Sequence, residues 1–259
     1  MLQRSLMLIA GLALAAPAEA AKCPQDAVQV GHLCVDKYEA SVWEIPAGNR
    51  SLAKKVEKGK IASAAQLTGA LSRGTTADDY GPGCPDDAST ACVGFYAVSV
   101  AGVLPSQYVN WFQAAAVCAN AGKRLLTNQE WQVAALGTPD TGGDDDGTTT
   151  CNTDSVGVNV VPTGSRSGCV SARGAFDMAG NVWEITGDWL PVSTHCTGWG
   201  ALSDDYSCVA GASTIADAPG VLIRGADSSW DSEGGPLAVD SLRASVGGIR
   251  IGFRCGRDL

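Results

Sequence analysis

The alternation of apolar and polar residues divides the chain into short elements. Residues 35–43 alternate in character and carry β-branched and aromatic side chains, a pattern that predicts a strand. Residues 51–71 space apolar positions among Lys and Glu, which favours a surface helix. Residues 74–92 are rich in Asp, Gly and Pro and are predicted to form a loop. Since no fixed-period repeat and no clear linker follows the first 20 residues, the pattern indicates a single domain.

Two helices are predicted in the middle of the chain. Asn110 can cap a helix that Gly122 ends, because Asn accepts a hydrogen bond from a free amide and Gly tolerates the left-handed conformation. Thr127 and Glu130 form a T-x-x-E capping box at the start of a second helix, which ends by Gly137. The rest is glycine-rich and irregular, so the fold class is α+β. Its tryptophans are predicted to be core residues rather than ligand cages; they are Trp183, Trp189, Trp199 and Trp230.

The first residues resemble an export signal. Arg4 supplies a positive charge, residues 6–16 form an apolar run, and residues 18–20 read Ala-Glu-Ala, a small-x-small cleavage site. The apolar run is too short to span a bilayer, so no stable membrane insertion is expected. An anchored or amphipathic N-terminus is the less favoured alternative, because no stop-transfer charges follow. We therefore expect a signal peptide over residues 1–20 and an exported domain over 21–259, in the periplasm or outside the cell.

Charge excludes several classes of partner. The chain has 18 Lys+Arg against 27 Asp+Glu, a formal net charge of -9, so nucleic acid and anionic membranes are poor partners. Hydrophobic residues make up 45% and charged residues 17%, which is enough to build a core. With His32 and His195 alone, the chain cannot build a multi-histidine zinc or iron site. No G-x-S-x-G elbow supports a serine hydrolase.

The ten cysteines are expected to form disulfides. An even count in an oxidising compartment favours crosslinks over metal ligands. Sequence does not fix the connectivity, but short loops favour four pairs and leave a fifth that closes a long loop. The short-loop pairs are Cys23 with Cys34, Cys84 with Cys92, Cys151 with Cys169 and Cys196 with Cys208, and the remaining two are Cys118 and Cys255. The long crosslink would stabilise by about 4 kcal/mol in the chain-entropy model. If all ten pair, no thiol remains for chemistry.

A stretch that reads GAFDMAGNVWEITGDW carries candidate metal ligands. Asp177 and Glu184 flank a turn at residues 180–182, whose carbonyls can face inward. Carboxylate and carbonyl oxygens are the ligands that calcium prefers, so the stretch is a candidate calcium site. An acidic helix cap at Asp177 and an unrelated surface Glu184 are the alternative. The acidic loop at residues 138–150 is interpreted as solvated, because no EF-hand glutamate follows it.

These residues belong to a set of motifs that resembles the formylglycine-generating enzyme, or sulfatase-modifying factor, domain. The resemblance covers nearly all of the chain after the signal, in the order of that family. The motifs are Asp36 to Ser41, Val109 to Trp111, Cys118, Gly122 to Leu125, Thr127 to Trp131, Asp177 to Glu184, Leu222 to Gly225 and Gly252 to Cys255.

The resemblance implies a variant of the C-type lectin fold, with much irregular structure and bound structural calcium. Carried over by position, the calcium ligands would be the side chains of Asp177 and Glu184 and the carbonyls of Gly180 and Val182. The same resemblance implies a disulfide between Cys118 and Cys255. Asn152 and Thr153 match the start of a second calcium site of the family, which stays unassigned.

The sequence departs from the enzymes of the family where their chemistry lies. The oxidases bind copper through two cysteines five residues apart, and thiolates suit Cu(I). The corresponding positions fall near Ser232 and Leu237, and residues 224–254 contain no cysteine. The sulfoxide synthases of the family use histidines from an additional domain. Copper is therefore unlikely as a cofactor, and a non-catalytic role is expected; the alternative is a formylglycine-generating oxidase or a related oxidoreductase.

Polar residues scattered through this C-terminal segment are the candidate binding surface. They are Asp227, Ser229, Trp230, Asp231, Ser232, Glu233, Asp240, Arg243 and Arg250. Loops on a rigid scaffold commonly carry recognition, so an exported protein or peptide is the expected ligand. The segment is also similar to the variable regions of retroelement-diversified display proteins. The alternatives are that these residues only solubilise a surface, or that the protein has a structural role in the cell envelope.

Overall fold

The computed structural model describes residues 22–77, 79–87, 89, 91–154, 159–191 and 219–259. Short strands and three helices alternate with long irregular segments. The strands are β1 (Ala27–Val30), β2 (Leu33–Asp36), β3 (Ala40–Glu44), β4 (Leu71–Arg73), β5 (Phe95–Ser99), β6 (Arg124–Leu125), β7 (Trp183–Pro191), β8 (Pro219–Arg224), β9 (Val239–Arg243), β10 (Ile251–Phe253) and β11 (Cys255–Asp258). The helices are α1 (Arg50–Glu57), α2 (Trp111–Asn120) and α3 (Asn128–Ala135). The predicted α+β class is confirmed.

The described strands form three small sheets. One has the order β1-β2-β11-β6, the second β10-β7-β8-β9 and the third β4-β3-β5. The C-terminal strand β11 thus lies between the N-terminal hairpin and β6, with Gly256 paired to both Val35 and Arg124. In the second sheet β10 pairs parallel to β7, placing Gly252 beside Glu184. This sheet therefore carries both the calcium-candidate segment and the C-terminal segment.

The two central helices begin where the capping residues predict. The Asn110 side chain accepts a hydrogen bond from the backbone amide of Gln113, and the Gln113 side chain accepts one from the backbone amide of Asn110. Thr127 and Glu130 form the same reciprocal pair at α3. Within the described residues, none of the helices is long and apolar enough to cross a membrane.

Two predicted elements are shorter than expected. The helix predicted over residues 51–71 is α1 followed by one 3₁₀ turn at Ala64–Leu67. Gly59 ends α1 with φ +59°, and a Cβ there would contact the Asp26 carboxylate, so the chain turns away at that point. The strand predicted over residues 35–43 is two strands, β2 and β3, because the chain leaves the first sheet and enters the third.

The described disulfides confirm four of the predicted pairs. They are Cys23–Cys34, Cys84–Cys92, Cys118–Cys255 and Cys151–Cys169. The pair Cys196–Cys208 lies outside the described residues, as does Trp199. The expectation that the tryptophans form the core is correct for Trp183, which is buried, whereas Trp230 is half-buried and Trp189 is 44% exposed.

Candidate functional site

The calcium-candidate segment runs through the interior in a tight path. Asp177, Gly180 and Asn181 all have positive φ, at 57°, 72° and 63°. A Cβ on Gly180 would collide with the Asn152 carbonyl oxygen, so this position requires glycine. The turn is held from both sides: the Gly180 amide donates to the Gly225 carbonyl at 2.8 Å, and the Asn181 amide donates to the Asn152 carbonyl at 2.8 Å.

Glu184 lies at the centre of this interior as an ion-pair partner. Its carboxylate accepts from the Arg254 guanidinium, with Nη2 at 2.6 Å from Oε1 and Nε at 3.0 Å from Oε2. The Trp131 indole N–H donates to Oε2 at 2.7 Å. Arg254 and Glu184 are both buried, and Arg254 also donates to the carbonyls of Asp36 and Phe176. The alternative interpretation of Glu184 as an unrelated surface residue is therefore wrong.

Asp177 and Glu39 add two more buried carboxylates. Asp177 Oδ2 accepts from the Gly164 amide at 2.7 Å, while Glu39 accepts from the Asn181 side chain at 2.6 Å and the Val182 amide at 3.2 Å. Burial raises the pKa of Asp177 to about 6. Burial, with the nearby charges of Asp177 and Glu184, raises the pKa of Glu39 well above its usual value.

The buried carboxylates of this interior outnumber its guanidinium groups, an excess of negative charge that would favour a cation, although both oxygens of Glu184 already accept hydrogen bonds from Arg254 and Trp131. Three buried carboxylates, Glu39, Asp177 and Glu184, surround one buried guanidinium, Arg254. An uncompensated buried carboxylate is costly, and it either takes up a proton or pairs with a cation. The described residues contain no group of three His, Cys, Asp or Glu side chains in metal-ligand arrangement. Sequence reasoning placed Glu39 only on a strand; its match to the family's opening motif was the signal that could have singled it out.

The side chain of Asn152, a residue that matches the start of the family's second calcium site, is hydrogen-bonded to other side chains of the protein. Its Oδ1 accepts from Arg166 Nη2 at 3.2 Å, and its Nδ2 donates to Asn181 Oδ1 at 3.0 Å. Arg166 in turn pairs with Asp145 in the acidic loop, with Nη1 3.2 Å from Oδ1. This network connects the acidic loop to the turn at Gly180 and Asn181.

Four of the predicted binding residues form one cluster. Asp227 Oδ1 accepts from the Ser229 amide and hydroxyl at 2.8 and 2.7 Å, and Asp227 Oδ2 lies 3.3 Å from the Trp230 indole nitrogen. Arg250 donates to the Ser229 hydroxyl at 2.7 Å and lies 3.6 Å from the Asp227 carboxylate. The Trp230 ring meets Trp183 edge to face, with centroids 5.5 Å apart. The loop is therefore ordered by its own side chains.

The cluster is fixed to the calcium-candidate segment. The Ser228 amide donates to the Asn181 carbonyl at 3.2 Å, and the Asp231 amide donates to the Thr153 carbonyl at 2.9 Å. A 3₁₀ turn at Asp231–Glu233 follows, in which Asp231 and Glu233 are exposed. The turn contains Ser232, near which the first of the two oxidase cysteines is expected.

Asp240 and Arg243 lie elsewhere, on β9 at the edge of the described second sheet. Asp240 pairs with Ile223, whose side chain is in the core, and burial raises the pKa of Asp240 to about 6. Leu237, near which the second oxidase cysteine is expected, lines a groove of about 550 Å³ between α3 and β8–β9. Arg224 also lines it, with its guanidinium 4.8 Å from the Trp131 ring centroid. The structure thus separates the predicted binding residues into a loop cluster and a strand edge.

Comparison with known proteins identifies the family. The sulfatase-modifying factor enzyme 1-like domain matches residues 6–259, so the chain belongs to this family. Hercynine oxygenase of Mycobacterium tuberculosis (strain ATCC 25618 / H37Rv) is 38% identical over 90 residues, which are 32% of this chain and 21% of that protein. This chain therefore spans only about a fifth of that relative.

Solved structures show a likeness in fold. The P3c variant of the Major Tropism Determinant matches with a TM-score of 0.50 and 19% identity, covering 92% of this chain and 54% of that one. PvdO from Pseudomonas aeruginosa matches with a TM-score of 0.42 and 21% identity, covering 88% and 80%. The fold is the C-type lectin-like fold that the motifs imply.

Proposed function

We propose that this protein is an exported, calcium-stabilised, non-catalytic binding module that recognises a protein or peptide through the loop at residues 227–233. One observation carries the proposal: residues 224–254, where the oxidases of the family have their two copper-binding cysteines, contain no cysteine, and the expected positions fall near Ser232 and Leu237. All cysteines in the described ranges are in disulfides, which supports the same conclusion. The ordered cluster around Trp230 supplies a half-buried aromatic side chain with exposed polar neighbours, the composition that protein interfaces favour.

The absence of oxidase chemistry is tested directly. Purified protein is incubated with copper and a peptide that carries the sulfatase motif, and conversion of the peptide cysteine to formylglycine is followed by mass. We expect no conversion. Intact mass before and after reduction should count five disulfides. Turnover of the peptide, or two reduced thiols that bind copper, would support the oxidase alternative.

Recognition is tested by comparing two tryptophans. W230A removes the aromatic residue of the cluster, whereas W189A removes an exposed tryptophan on β7 and serves as the control. Each variant is used to capture exported proteins from the source organism, with bound species identified by mass. We expect a partner that wild type and W189A retain and W230A loses. Retention by all three would place the binding surface elsewhere.

Calcium is proposed to bind through the side chains of Asp177 and Glu184 and the carbonyls of Gly180 and Val182. When bound, the ion would neutralise the buried carboxylates. It would also fix the turn at residues 180–182, whose Asn181 carbonyl accepts a hydrogen bond from the Ser228 amide. A ligand at 100 times its Kd stabilises the native state by about 2.7 kcal/mol. We expect calcium to raise the Tm of wild type and not of D177N, with D231N as an exposed control. An unchanged Tm after chelation would contradict calcium binding.

Export is proposed from residues 1–20, which lie outside the described residues. Sequencing of the mature N-terminus should read from about Ala21.

Retroelement diversification remains part of the proposal: a near-copy of the codons for residues 224–255 beside a reverse transcriptase gene would support it, whereas a neighbouring sulfatase gene would support a maturation role.

A further inference from the structure

The acidic loop and the binding loop form one surface, although about 85 residues of sequence separate them. Gly143 packs so closely on the 3₁₀ turn that a Cβ there would collide with the Asp231 carboxylate. Its φ of +91° is accessible to glycine. This contact brings the loop at residues 140–147 beside Asp231 and Glu233. The combined surface is strongly acidic, with exposed carboxylates at Asp140, Asp144, Asp231 and Glu233.

The cations of this region, among the described residues, are engaged in the framework. Arg250 binds Ser229 and Asp227, and Arg166 binds Asn152 and Asp145. Asp231 and Glu233 are exposed residues outside these pairs, and the Asp231 carboxylate lies against Gly143. Asp145, whose side chain is 2% exposed, is ion-paired with Arg166 and accepts from the Gly147 amide at 2.7 Å, so it belongs to the framework and not to the exposed surface.

Trp230 provides a second, independent feature of the same surface. Its indole is fixed by Trp183 and by Asp227, so the orientation of the ring is set before a partner binds. A cation over an aromatic face is attracted to the ring quadrupole, and carboxylates nearby strengthen that preference. A preoriented, half-buried ring that has the Asp227 carboxylate 3.3 Å from its indole nitrogen and exposed Asp231 next in sequence is an arrangement that fits a lysine or arginine side chain.

We propose that the partner presents a cationic segment, rich in Lys or Arg, to the surface formed by Trp230, Asp231, Glu233 and the loop at residues 140–147. The inference rests on the proposed function and names the chemistry of its partner. Each exposed ion pair contributes little by itself, so the segment needs several positive charges. The net charge of -9 would speed the encounter at low salt.

Binding of synthetic peptides tests this proposal. The probes are a 12-residue Lys/Arg-rich peptide and two peptides of the same length, one rich in Glu and one of Ser and Gly. Affinity is measured at low and at physiological salt for wild type, for D231N/E233Q, and for E57Q/D258N, which removes the same charge on α1 and β11. We expect the basic peptide alone to bind wild type, with at least a fivefold loss in D231N/E233Q and no comparable loss in E57Q/D258N.

Two results would overturn the inference. Equal losses in the two double variants would show that the peptide responds to net charge and not to this surface. Absence of binding by the basic peptide would exclude a cationic segment. The proposed function has a separate test: a neutral partner captured through Trp230 would support recognition by this loop and refute only the cationic chemistry, whereas retention of all partners by W230A would contradict recognition itself.

Discussion

Buried and exposed carboxylates in this protein have different bonding partners, because their surroundings differ. Around Arg254, the carboxylates of Glu39, Asp177 and Glu184 are excluded from water. Around Trp230, Asp231 and Glu233 are exposed on a turn that backbone hydrogen bonds hold to the rest of the protein. Acidic residues of the first group are bonded within the interior, whereas those of the second are accessible from solvent. Burial, and not residue type, distinguishes the two regions.

Removing an arginine from each region should give the largest contrast. Loss of one partner from a buried ion pair costs about 3–5 kcal/mol, because it leaves an uncompensated charge. R254M leaves buried Glu184 without its guanidinium and should lower the free energy of unfolding by that amount. R250M removes a hydrogen bond to Ser229 and a longer ion pair with Asp227, whose side chains are 17% and 11% exposed, and should cost clearly less than R254M, about 1–2 kcal/mol. Urea unfolding of both variants measures the difference; equal losses would show that the two regions are energetically alike.

Asp227 lies at the boundary between the regions, so its substitution should have an intermediate effect. D227N replaces a carboxylate that accepts from Ser229 and Trp230, and hydrogen bonds to charged groups contribute about 1.5–3 kcal/mol. We expect a loss near the lower value and a shift in tryptophan fluorescence as the Trp230 ring is released. An unchanged emission spectrum would mean that Asp227 does not orient the ring.

Asp240 should destabilise the protein at neutral pH. Burial raises its folded-state pKa to about 6, so the folded protein holds a proton that the unfolded chain has lost between about pH 4 and 6. Stability therefore falls as the pH rises through that window. D240N should be more stable than wild type at pH 7.5, by less than about 1 kcal/mol because the group is partly exposed, and equally stable near pH 3.5. Melting curves at both values test this; a loss at pH 7.5 would show that the carboxylate makes a stabilising contact.

The smallest effect is expected for the turn itself. D231N/E233Q changes two exposed side chains that project into solvent, so its free energy of unfolding should stay within about 0.5 kcal/mol of wild type. Thermal and urea unfolding measure this. A larger loss in the free energy of unfolding would show that these two side chains stabilise the fold, and would count against their role as a binding surface.

Local signals in the sequence predicted the local structure. The capping residues at Asn110 and Thr127 act within three residues, so α2 and α3 begin where expected. The disulfides that close short loops are also predictable from local spacing. The disulfide Cys118–Cys255, which closes a long loop, is implied by the resemblance to the family. The framework fold followed from the order of motifs along the chain.

Contacts between distant residues were the part that sequence could not supply. Glu39 joins the calcium-candidate segment through Asn181, 142 residues away, and no periodic pattern reports that contact. The approach of Gly143 to Asp231 depends equally on the tertiary path. Asp240 was grouped with the loop residues because it is near them in sequence, yet it occupies a strand edge whose partner strand determines its burial.

Two buried arginines bracket the C-terminal segment, and this has a practical consequence for engineering. Arg224 stacks on Trp131 at one end and Arg254 holds Glu184 at the other, while the disulfide at Cys255 ties the chain to α2. A combinatorial library confined to positions 231–233 would leave these contacts, and those of Ser229 and Trp230, unchanged. The protein is therefore suited to the grafting of foreign sequences between Arg224 and Arg254, because the disulfides would stabilise the fold of each variant.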